Sequence, residues 1–196
     1  RRFGNSKAVF VNSADPRVTL AKVARRFFGK PDKALALIGI TGTNGKTTVS
    51  YMAKHFLSLD GVKTGCLGTI GYDLVERVLP SFRTTPEAHD LCELLAQMKG
   101  FGCERAVMEV SSHGIDQMRV ADLRFDVGVF LNLARDHLDY HGDMDSYFEV
   151  KRRFIVGDLG RRPKKLAINV DDVYGRRLAQ ELDDDSLISF GTGSDA

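Results

Sequence analysis

The chain has 196 residues, 43% of them hydrophobic and 28% charged, and its formal net charge is +2. This composition is typical of one globular domain and excludes a disordered chain, and so balanced a charge gives no reason to expect a nucleic-acid partner. No apolar run is long enough to cross a bilayer and no signal peptide opens the sequence, so we expect a cytoplasmic protein with no membrane partner. Because the first residue is Arg1 rather than methionine, we also expect a fragment of a longer protein.

The first thirty residues contain one predicted strand and one predicted helix. Residues 8–11 form an apolar run that is typical of a strand. Asp15 followed by Pro16 is typical of a helix start, with Asp as the N-cap and Pro in the first turn. The apolar face predicted for this helix consists of Leu20, Val23, Ala24, Phe27 and Phe28. So short a segment predicts a linker or the edge of a preceding domain.

From residue 34 onward the pattern alternates between strands and helices. Strands are predicted near 34–40, 63–68, 105–110, 126–132, 165–170 and 187–190. Helices are predicted near 46–59, 86–99, 143–155 and 173–182. This alternation predicts an α/β fold with a mostly parallel sheet flanked by helices on both faces. In such sheets ligands bind at the carboxyl ends of the strands, so the residues just past each strand are the candidate site residues.

Residues 39–48 read GITGTNGKTT and lie between a predicted strand and a predicted helix. This is the setting of a phosphate-binding loop, in which glycines and a helix N-terminus turn backbone N–H groups toward one anion. Lys46 would reach the terminal phosphates, and the Thr47 hydroxyl would ligate magnesium. The usual motif places its first glycine where Ile40 stands, so the loop is a variant, and a glycine-rich turn that binds nothing is the alternative.

Polar residues also follow the next strands of the predicted sheet. Glu109 ends an apolar run, where a carboxylate is costly to bury without a partner, so it is the candidate metal ligand; an outward-facing strand residue is the alternative. Asn132 ends the following strand, and four charged or imidazole side chains come next: Asp136, His137, Asp139 and His141. The spacing of the two histidines would suit a zinc site, but Leu138 stands where that motif requires a glutamate. A magnesium–nucleotide site or simple capping explains these residues better.

Two further segments have a capping explanation beside a ligand-binding one. Thr84 and Thr85 precede a predicted helix, which they could cap, or they could hold an anionic ligand at its N-terminus. Capping alone would explain these two threonines. Asn169 and Asp172 lie at the end of the predicted strand at 165–170, where the acidic residues could cap the next helix or contact a nucleotide.

Four segments together resemble the Mur ligase family: 42–48 (GTNGKTT), 84–87 (TTPE), 109–113 (EVSSH) with Arg119, and 135–142 (RDHLDYHG) with Asn132. The unusual loop spacing is the form that this family uses. The loop would fit folylpolyglutamate synthetases as well, whereas 84–87 and 135–142 resemble the MurE type. The resemblance implies that residues 31–196 are the central ATP-binding domain and that 1–30 are a remnant of the N-terminal UDP-binding domain.

The same resemblance implies roles for individual residues. ATP would be bound by the loop residues Gly42, Thr43, Asn44, Gly45, Lys46, Thr47 and Thr48, with Asn169 and Asp172 near its nucleoside. The nucleotide-sugar peptide would contact Thr84, Thr85, Ser111 and Arg119. Two magnesium ions would be held by Thr47, Glu109, His137 and Lys151, the last as a carbamylated lysine. The catalytic residues would be Lys46, His137 and Lys151.

The resemblance implies a reaction in which ATP converts the terminal carboxylate of UDP-MurNAc-L-Ala-D-Glu into an acyl phosphate. The amine of meso-diaminopimelate or L-lysine then attacks, as a step of peptidoglycan synthesis. We expect a monomer that acts on these small molecules. The C-terminal domain that recognises the amino acid in this family has no counterpart here, so we expect little ligase activity from the chain alone. The alternatives are a MurE-like nucleotide-binding or structural protein without ligase activity and another amide ligase, of the folylpolyglutamate or cyanophycin synthetase type.

Overall fold

The computed structural model describes residues 11–182 and 185–193. Within them lies one sheet with the strand order β4-β3-β2-β5-β1-β6-β7-β8. The strands are β1 Ala36–Thr41, β2 Thr64–Leu67, β3 Tyr72–Asp73, β4 Val78–Leu79, β5 Arg105–Glu109, β6 Val127–Phe130, β7 Lys165–Asn169 and β8 Leu187–Phe190. The helices are α1 Pro16–Phe27, α2 Lys46–Leu59, α3 Ala88–Gly100, α4 Ser112–Asp116, α5 Leu138–His141, α6 Met144–Val156 and α7 Val173–Leu182, with a 3-10 helix at Pro31–Lys33.

Strands β1, β2, β5, β6, β7 and β8 pair in parallel, whereas β3 pairs antiparallel with both β2 and β4. Side chains along β1 alternate between the two faces of the sheet. Leu37 belongs to the main core, which includes buried residues of α3 and α6. Ile40 belongs to a second cluster, to which Val49 and Ala53 of α2 contribute. Helices therefore cover both faces, which confirms the predicted α/β class.

Strand β1 lies between β5 and β6 at the centre of the sheet. The chain leaves β1 toward β2 on one side and later returns to β6 on the other. The carboxyl ends of β1, β5 and β6 therefore meet at a point where the strand order reverses, and such a point forms a crevice for ligands in open α/β sheets.

Helix α1 begins as predicted but buries a different face. The Asp15 carboxylate accepts hydrogen bonds from the N–H groups of Arg17 and Val18, which confirms the N-cap. The predicted apolar face was wrong in part, because Phe27 is 81% exposed and the buried residues of the helix include Arg25. Leu20 and Val23 are exposed as well. The buried ion pair of Arg25 fixes the helix rotation that hydrophobic spacing alone mispredicted.

That ion pair ties three segments together. Arg25 donates through Nε and Nη2 to the two carboxylate oxygens of Asp32 in the 3-10 helix, at 2.8 and 2.9 Å. Its Nη1 lies 3.3 Å from the carboxylate of Asp122. The Arg124 N–H also donates to Asp32, whose side chain is fully buried. Helix α1, the 3-10 helix and the segment before β6 are therefore held by one charged network, and α1 packs on α3 as well.

Other differences from the sequence prediction concern short elements and helix ends. The hairpin β3–β4 was not predicted, because two-residue strands carry no periodic signal. Helix α3 has Glu87 as its N-cap residue, so the prediction that Thr84 or Thr85 caps this helix was wrong. The strand predicted at 8–11 lies outside the described residues except for Val11, which is not in a strand. The division at residue 30 stays a prediction. No helix among the described residues is long and apolar enough to span a membrane.

Candidate nucleotide-binding site

A cavity of about 520 Å³ opens at the carboxyl ends of the central strands. It is lined by two sets of residues, one on the phosphate loop and one on the segments that follow β2, β4, β5 and β6. The lining residues are Thr43, Asn44, Gly45, Lys46, Thr47, Thr48, Thr69, Arg83, Thr84, Glu109, Ser111, His113, Gln117, Arg119 and His137. The structure thus brings loop residues 43–48 into one cavity with Thr84, Glu109, Ser111, Arg119 and His137, whereas Gly42 and Lys151 do not line it.

The phosphate loop joins β1 to α2 and is fixed by a side chain of the neighbouring strand. Gly45 is the N-cap residue of α2 with φ +83°, a conformation that L side chains rarely adopt. The Asn132 amide oxygen accepts hydrogen bonds from the N–H groups of Thr43 and Asn44, at 3.1 and 2.9 Å. Its Nδ2 donates to the carbonyl of Asn44. Asn132, predicted only as a strand-end residue, thus holds the loop in place.

Two lysines meet at one carbonyl of this loop. Lys46 Nζ donates to the carbonyls of Gly42 and Thr43, at 2.9 and 2.8 Å. Lys151 Nζ donates to the same Gly42 carbonyl at 3.0 Å, from the other side, and is almost fully buried. Burial lowers the pKa of both amines, and the charge of Lys46 lowers the pKa of Lys151 further, to well below its usual value. A buried lysine with a depressed pKa loses its proton readily, and a neutral amine is a nucleophile.

Glu109 faces Thr47 across the cavity floor. Its side chain is buried, so the outward-facing alternative was wrong. The Thr47 hydroxyl lies 3.0 Å from both carboxylate oxygens. Thr69 donates to the carboxylate through its N–H at 2.9 Å and through its hydroxyl at 3.2 Å. Among the described residues no lysine, arginine or histidine forms an ion pair with Glu109, although its charge partly offsets the burial that lowers the pKa of Lys46.

A polar cluster lies at the other end of the cavity. The Thr85 hydroxyl donates to the carbonyl of Glu109 at 2.9 Å and is 3.0 Å from the Ser111 hydroxyl. Arg119 is buried, donates through Nη1 to the Thr85 carbonyl, and pairs with Glu87 at 3.0 Å. Its Nε has no hydrogen-bond partner in the described structure. Arg119 therefore retains an unused donor beside the cavity. Thr85 itself does not line the cavity and positions Ser111 and Arg119.

Histidines and tyrosines form the wall next to Lys151. His137 has a left-handed backbone with φ +51° and precedes α5, so His137 and His141 do not share one helix face. The rings of His137 and His113 are 5.1 Å apart. His141 stacks on Tyr147 at 4.8 Å, and Lys151 Nζ lies 4.7 Å from the centre of the same tyrosine ring. Burial lowers the pKa of His113 and of His141, which favours their neutral forms. The described residues contain no group of three or more His, Cys, Asp or Glu side chains that could hold a metal ion.

Asn169 and Asp172 are not brought into the cavity. Asn169 Nδ2 donates to the Leu131 carbonyl at 2.9 Å. The Asp172 carboxylate accepts from the N–H groups of Leu133, Tyr174 and Gly175, which caps α7 and fixes the segment after β6. The contacts of Asp172 agree with the capping alternative, whereas Asn169 caps no helix and links the segments that follow β6 and β7. A contact with the nucleoside of a bound nucleotide stays a prediction.

Five residues at or beside the cavity were given no role by the sequence reasoning. Thr69, Arg83, His113 and Gln117 line it, and the Tyr147 hydroxyl lies 3.3 Å from that of Thr43. Gln117 lies two residues before Arg119. Tyr147 lies four residues before Lys151 on α6, and because residues four apart on a helix are neighbours, this spacing could have pointed to Tyr147. Thr69 lies in a turn without periodicity, so no pattern pointed to it.

The cavity contains some groups that attract anions and others that can ligate a cation. Lys46, the helix N-terminus and Arg119 attract anions, whereas Glu109 and the hydroxyl of Thr47 offer oxygen ligands to a hard cation. The strand β1, the glycine-rich loop with its lysine and the helix α2 define the chain as a phosphate-loop α/β domain. Its basic groups form a binding site for a polyanion. Residues 40–196 match the model of the Mur ligase middle domain. The chain belongs to the Mur ligase family.

Known relatives agree with this assignment. The chain is 46% identical over 171 residues to UDP-N-acetylmuramoyl-L-alanyl-D-glutamate--2,6-diaminopimelate ligase of Geobacter metallireducens, a match that covers 85% of this chain and 34% of that protein. It is similar to a solved structure of an enzyme with the same name, with TM-score 0.79, 29% identity, and coverage of 95% of this chain and 38% of that one. The MurF ligase of Thermotoga maritima in complex with ADP shares the fold at TM-score 0.60 and 19% identity, over 97% of this chain and 39% of that one. The chain thus spans about a third of the length of its curated relatives.

Proposed function

We propose that this chain is the nucleotide-binding domain of an ATP-dependent amide ligase that adds diaminopimelate to UDP-MurNAc-L-Ala-D-Glu in peptidoglycan synthesis. The observation that carries the proposal is the cavity, in which the phosphate loop faces Glu109 and Arg119. The 46% identity to a diaminopimelate ligase supports diaminopimelate rather than L-lysine as the acceptor. ADP in a related MurF structure supports ATP as the nucleotide.

The reaction joins two anions before an amide forms. An oxygen of the substrate carboxylate attacks the γ-phosphorus, and the bond between that phosphorus and the bridging oxygen of ADP breaks. The amine nitrogen then attacks the acyl carbon, a proton leaves the nitrogen, and phosphate departs. In our proposal Lys46 and the loop N–H groups hold the triphosphate, and Arg119 and Ser111 hold the anionic peptide near Thr84. The chain lowers the barrier by positioning and by neutralising repulsion.

The donor set near Thr47 fits a magnesium ion. As an ionised carboxylate, Glu109 only accepts hydrogen bonds, so the Thr47 hydroxyl directs its hydrogen at Glu109 and leaves its lone pairs for a cation. Thr47 and Glu109 would hold one ion, and His137 and a carbamylated Lys151 would hold a second. When bound, these ions supply positive charge that screens the phosphates from the attacking carboxylate.

A carbamate on Lys151 is consistent with its surroundings. An ammonium has no lone pair for a cation, so Lys151 could hold one only after modification. The neutral amine attacks the carbon of CO₂, a carbon–nitrogen bond forms, and one proton leaves to solvent. The resulting anion would lie beside the positively charged Lys46, which shares the Gly42 carbonyl with it. The depressed pKa of Lys151 makes the neutral amine available.

The modification can be tested without an activity assay. In buffer with ¹³C-bicarbonate we expect the chain to show one carbamate resonance in its carbon NMR spectrum. The Lys151→Met variant should lack this resonance, and Lys54→Met, which removes a partly buried lysine of α2 that pairs with Asp73, should retain it. In the full-length protein Lys151→Ala should lower activity strongly, with partial rescue by small carboxylic acids. Unchanged activity, or a resonance that survives Lys151→Met, would remove this role.

The whole reaction requires more than this chain supplies. We expect the 196-residue chain to bind ATP in calorimetry but to form no detectable product with magnesium, UDP-MurNAc-dipeptide and diaminopimelate. The reason is that it spans only 34% of its relative from Geobacter metallireducens, and that full-length enzyme is the positive control under the same conditions. Normal turnover by the chain would contradict the expectation, and an absence of ATP binding would contradict the proposed function itself.

A further inference from the structure

Thr69 lies in the turn between β2 and β3, where it contacts both sides of the candidate site. Its N–H donates to Glu109 Oε1 at 2.9 Å, and its hydroxyl is 3.2 Å from Glu109 Oε2. The same hydroxyl is 3.0 Å from the hydroxyl of Thr84. Thr69 thus links the carboxylate on the phosphate side of the cavity to a threonine on the opposite side. Neither the motif nor the family resemblance pointed to it.

The carboxylate of Glu109 depends on this turn for its orientation. All of its hydrogen bonds within residues 11–182 and 185–193 come from Thr47 and Thr69. The backbone of this turn also lies very close to the Glu109 carboxylate, since a Cβ atom added to Gly68 would be only 2.1 Å from Oε1. Without a side chain at this position, the backbone of the turn reaches the carboxylate directly. Thr69 therefore supplies the only fixed contact that is independent of the phosphate loop in the described structure.

The chemistry of the groups sets the direction of each hydrogen bond. An ionised carboxylate accepts only, so the Thr69 hydroxyl gives its single hydrogen to Glu109. In the hydrogen bond between the hydroxyls of Thr69 and Thr84, the Thr84 hydroxyl must then be the donor. The hydroxyl of Thr84 consequently has lone pairs but no hydrogen left for a ligand, and it can meet only an N–H or O–H group of the substrate.

We propose that Thr69 is a positioning residue that fixes the Glu109 carboxylate toward a bound divalent cation and polarises Thr84 as an acceptor. The inference rests on the proposed function, because it takes Glu109 as a cation ligand. Groups that orient a metal ligand are typically worth about 10- to 100-fold in metal affinity. We expect an effect at the lower end, since the backbone N–H of Thr69 remains in every side-chain variant.

The test is a titration of the chain with Mn²⁺ at saturating ADP, followed by electron paramagnetic resonance. Thr69→Val removes the hydroxyl at nearly constant size and should weaken Mn²⁺ binding about tenfold. Thr69→Ser keeps the hydroxyl and should bind like the wild type. ADP affinity without metal should be unchanged in both. The matched control is Thr64→Val, which removes a buried threonine hydroxyl from the opposite end of β2, where among the described residues it bonds only the Val62 carbonyl.

The outcomes separate this inference from the proposed function. Failure of the wild type to bind Mn²⁺ with ADP, or normal binding by Glu109→Gln, would overturn the proposed function and the inference with it. If Glu109→Gln binds weakly but Thr69→Val binds within twofold of the wild type, only the inference is wrong. Equal weakening by Thr64→Val would show a general loss of stability and would also overturn it. If Thr69→Val does not fold, Thr69→Ala, which removes the same hydroxyl and leaves a smaller side chain, is measured in its place and judged by the same change in Mn²⁺ affinity.

Discussion

Lys46→Ala is expected to weaken ATP binding by this chain about 100-fold or more. The Lys46 side chain is largely enclosed by the loop and donates to two of its carbonyls, from which it can turn to the terminal phosphates. Hydrogen bonds to charged groups are worth about 1.5–3 kcal/mol, and about 1.4 kcal/mol corresponds to a tenfold change in affinity. Isothermal titration calorimetry with ATP measures the change directly.

The matched control for this prediction is Lys54→Ala. Lys54 lies two turns further along α2, pairs with Asp73 and does not line the cavity. It carries the same charge on the same helix, so its loss reports the general electrostatic effect of removing one lysine. ATP affinity should change less than about twofold in this control. Equal ATP affinity in Lys46→Ala and the wild type would show that the loop does not bind the phosphates.

Asp32→Ala is expected to lower the free energy of unfolding by about 3–5 kcal/mol. The variant leaves the Arg25 guanidinium buried with only the more distant Asp122 as a partner, and it removes the acceptor of the Arg124 N–H. Hydrogen bonding to Asp32 is also the main reason that the pKa of Arg25 is raised, so the arginine stays charged. Urea unfolding followed by circular dichroism gives the free energy.

An exposed ion pair provides the control for the buried one. Glu76→Ala breaks the pair of Glu76 with Lys63, in which about half of each side chain is exposed, and should leave the midpoint of urea unfolding nearly unchanged. Replacing both Arg25 and Asp32 by apolar residues should recover part of the loss, because no unpaired charge is left. Similar stabilities of Asp32→Ala and Glu76→Ala would contradict the assigned role of the network.

The sequence sufficed for those parts of the fold and site that follow from local patterns. The strand, loop and helix around Lys46 have a periodic signal on both sides of a glycine-rich turn, and the structure has β1 and α2 there. Glu109 was found because a carboxylate at the end of an apolar run requires an explanation. The resemblance to a family then connected segments that lie far apart in the chain, including the one that contains His137.

Contacts between distant segments could not be read in the same way. The rotation of α1 depends on the pairing of Arg25 with Asp32 and Asp122, and periodicity contains no information about an ion pair across 97 residues. Thr69 bonds a carboxylate 40 residues away, and its own turn has no repeating pattern. Asp172 shows the opposite case, since its cap of α7 is local but no sequence rule separates a cap from a ligand contact.

The amide of Asn132 has a consequence for the speed of ligand capture. The Asn132 side chain, just after β6, accepts hydrogen bonds from the N–H groups of Thr43 and Asn44, so the shape of the phosphate loop is set when the sheet folds. A nucleotide that arrives therefore need not order a flexible segment, and the conformational entropy of the loop is not lost during binding. Association should then be limited by diffusion and by the field of the basic groups rather than by loop closure. A rigid loop of this kind favours rapid binding of a nucleotide.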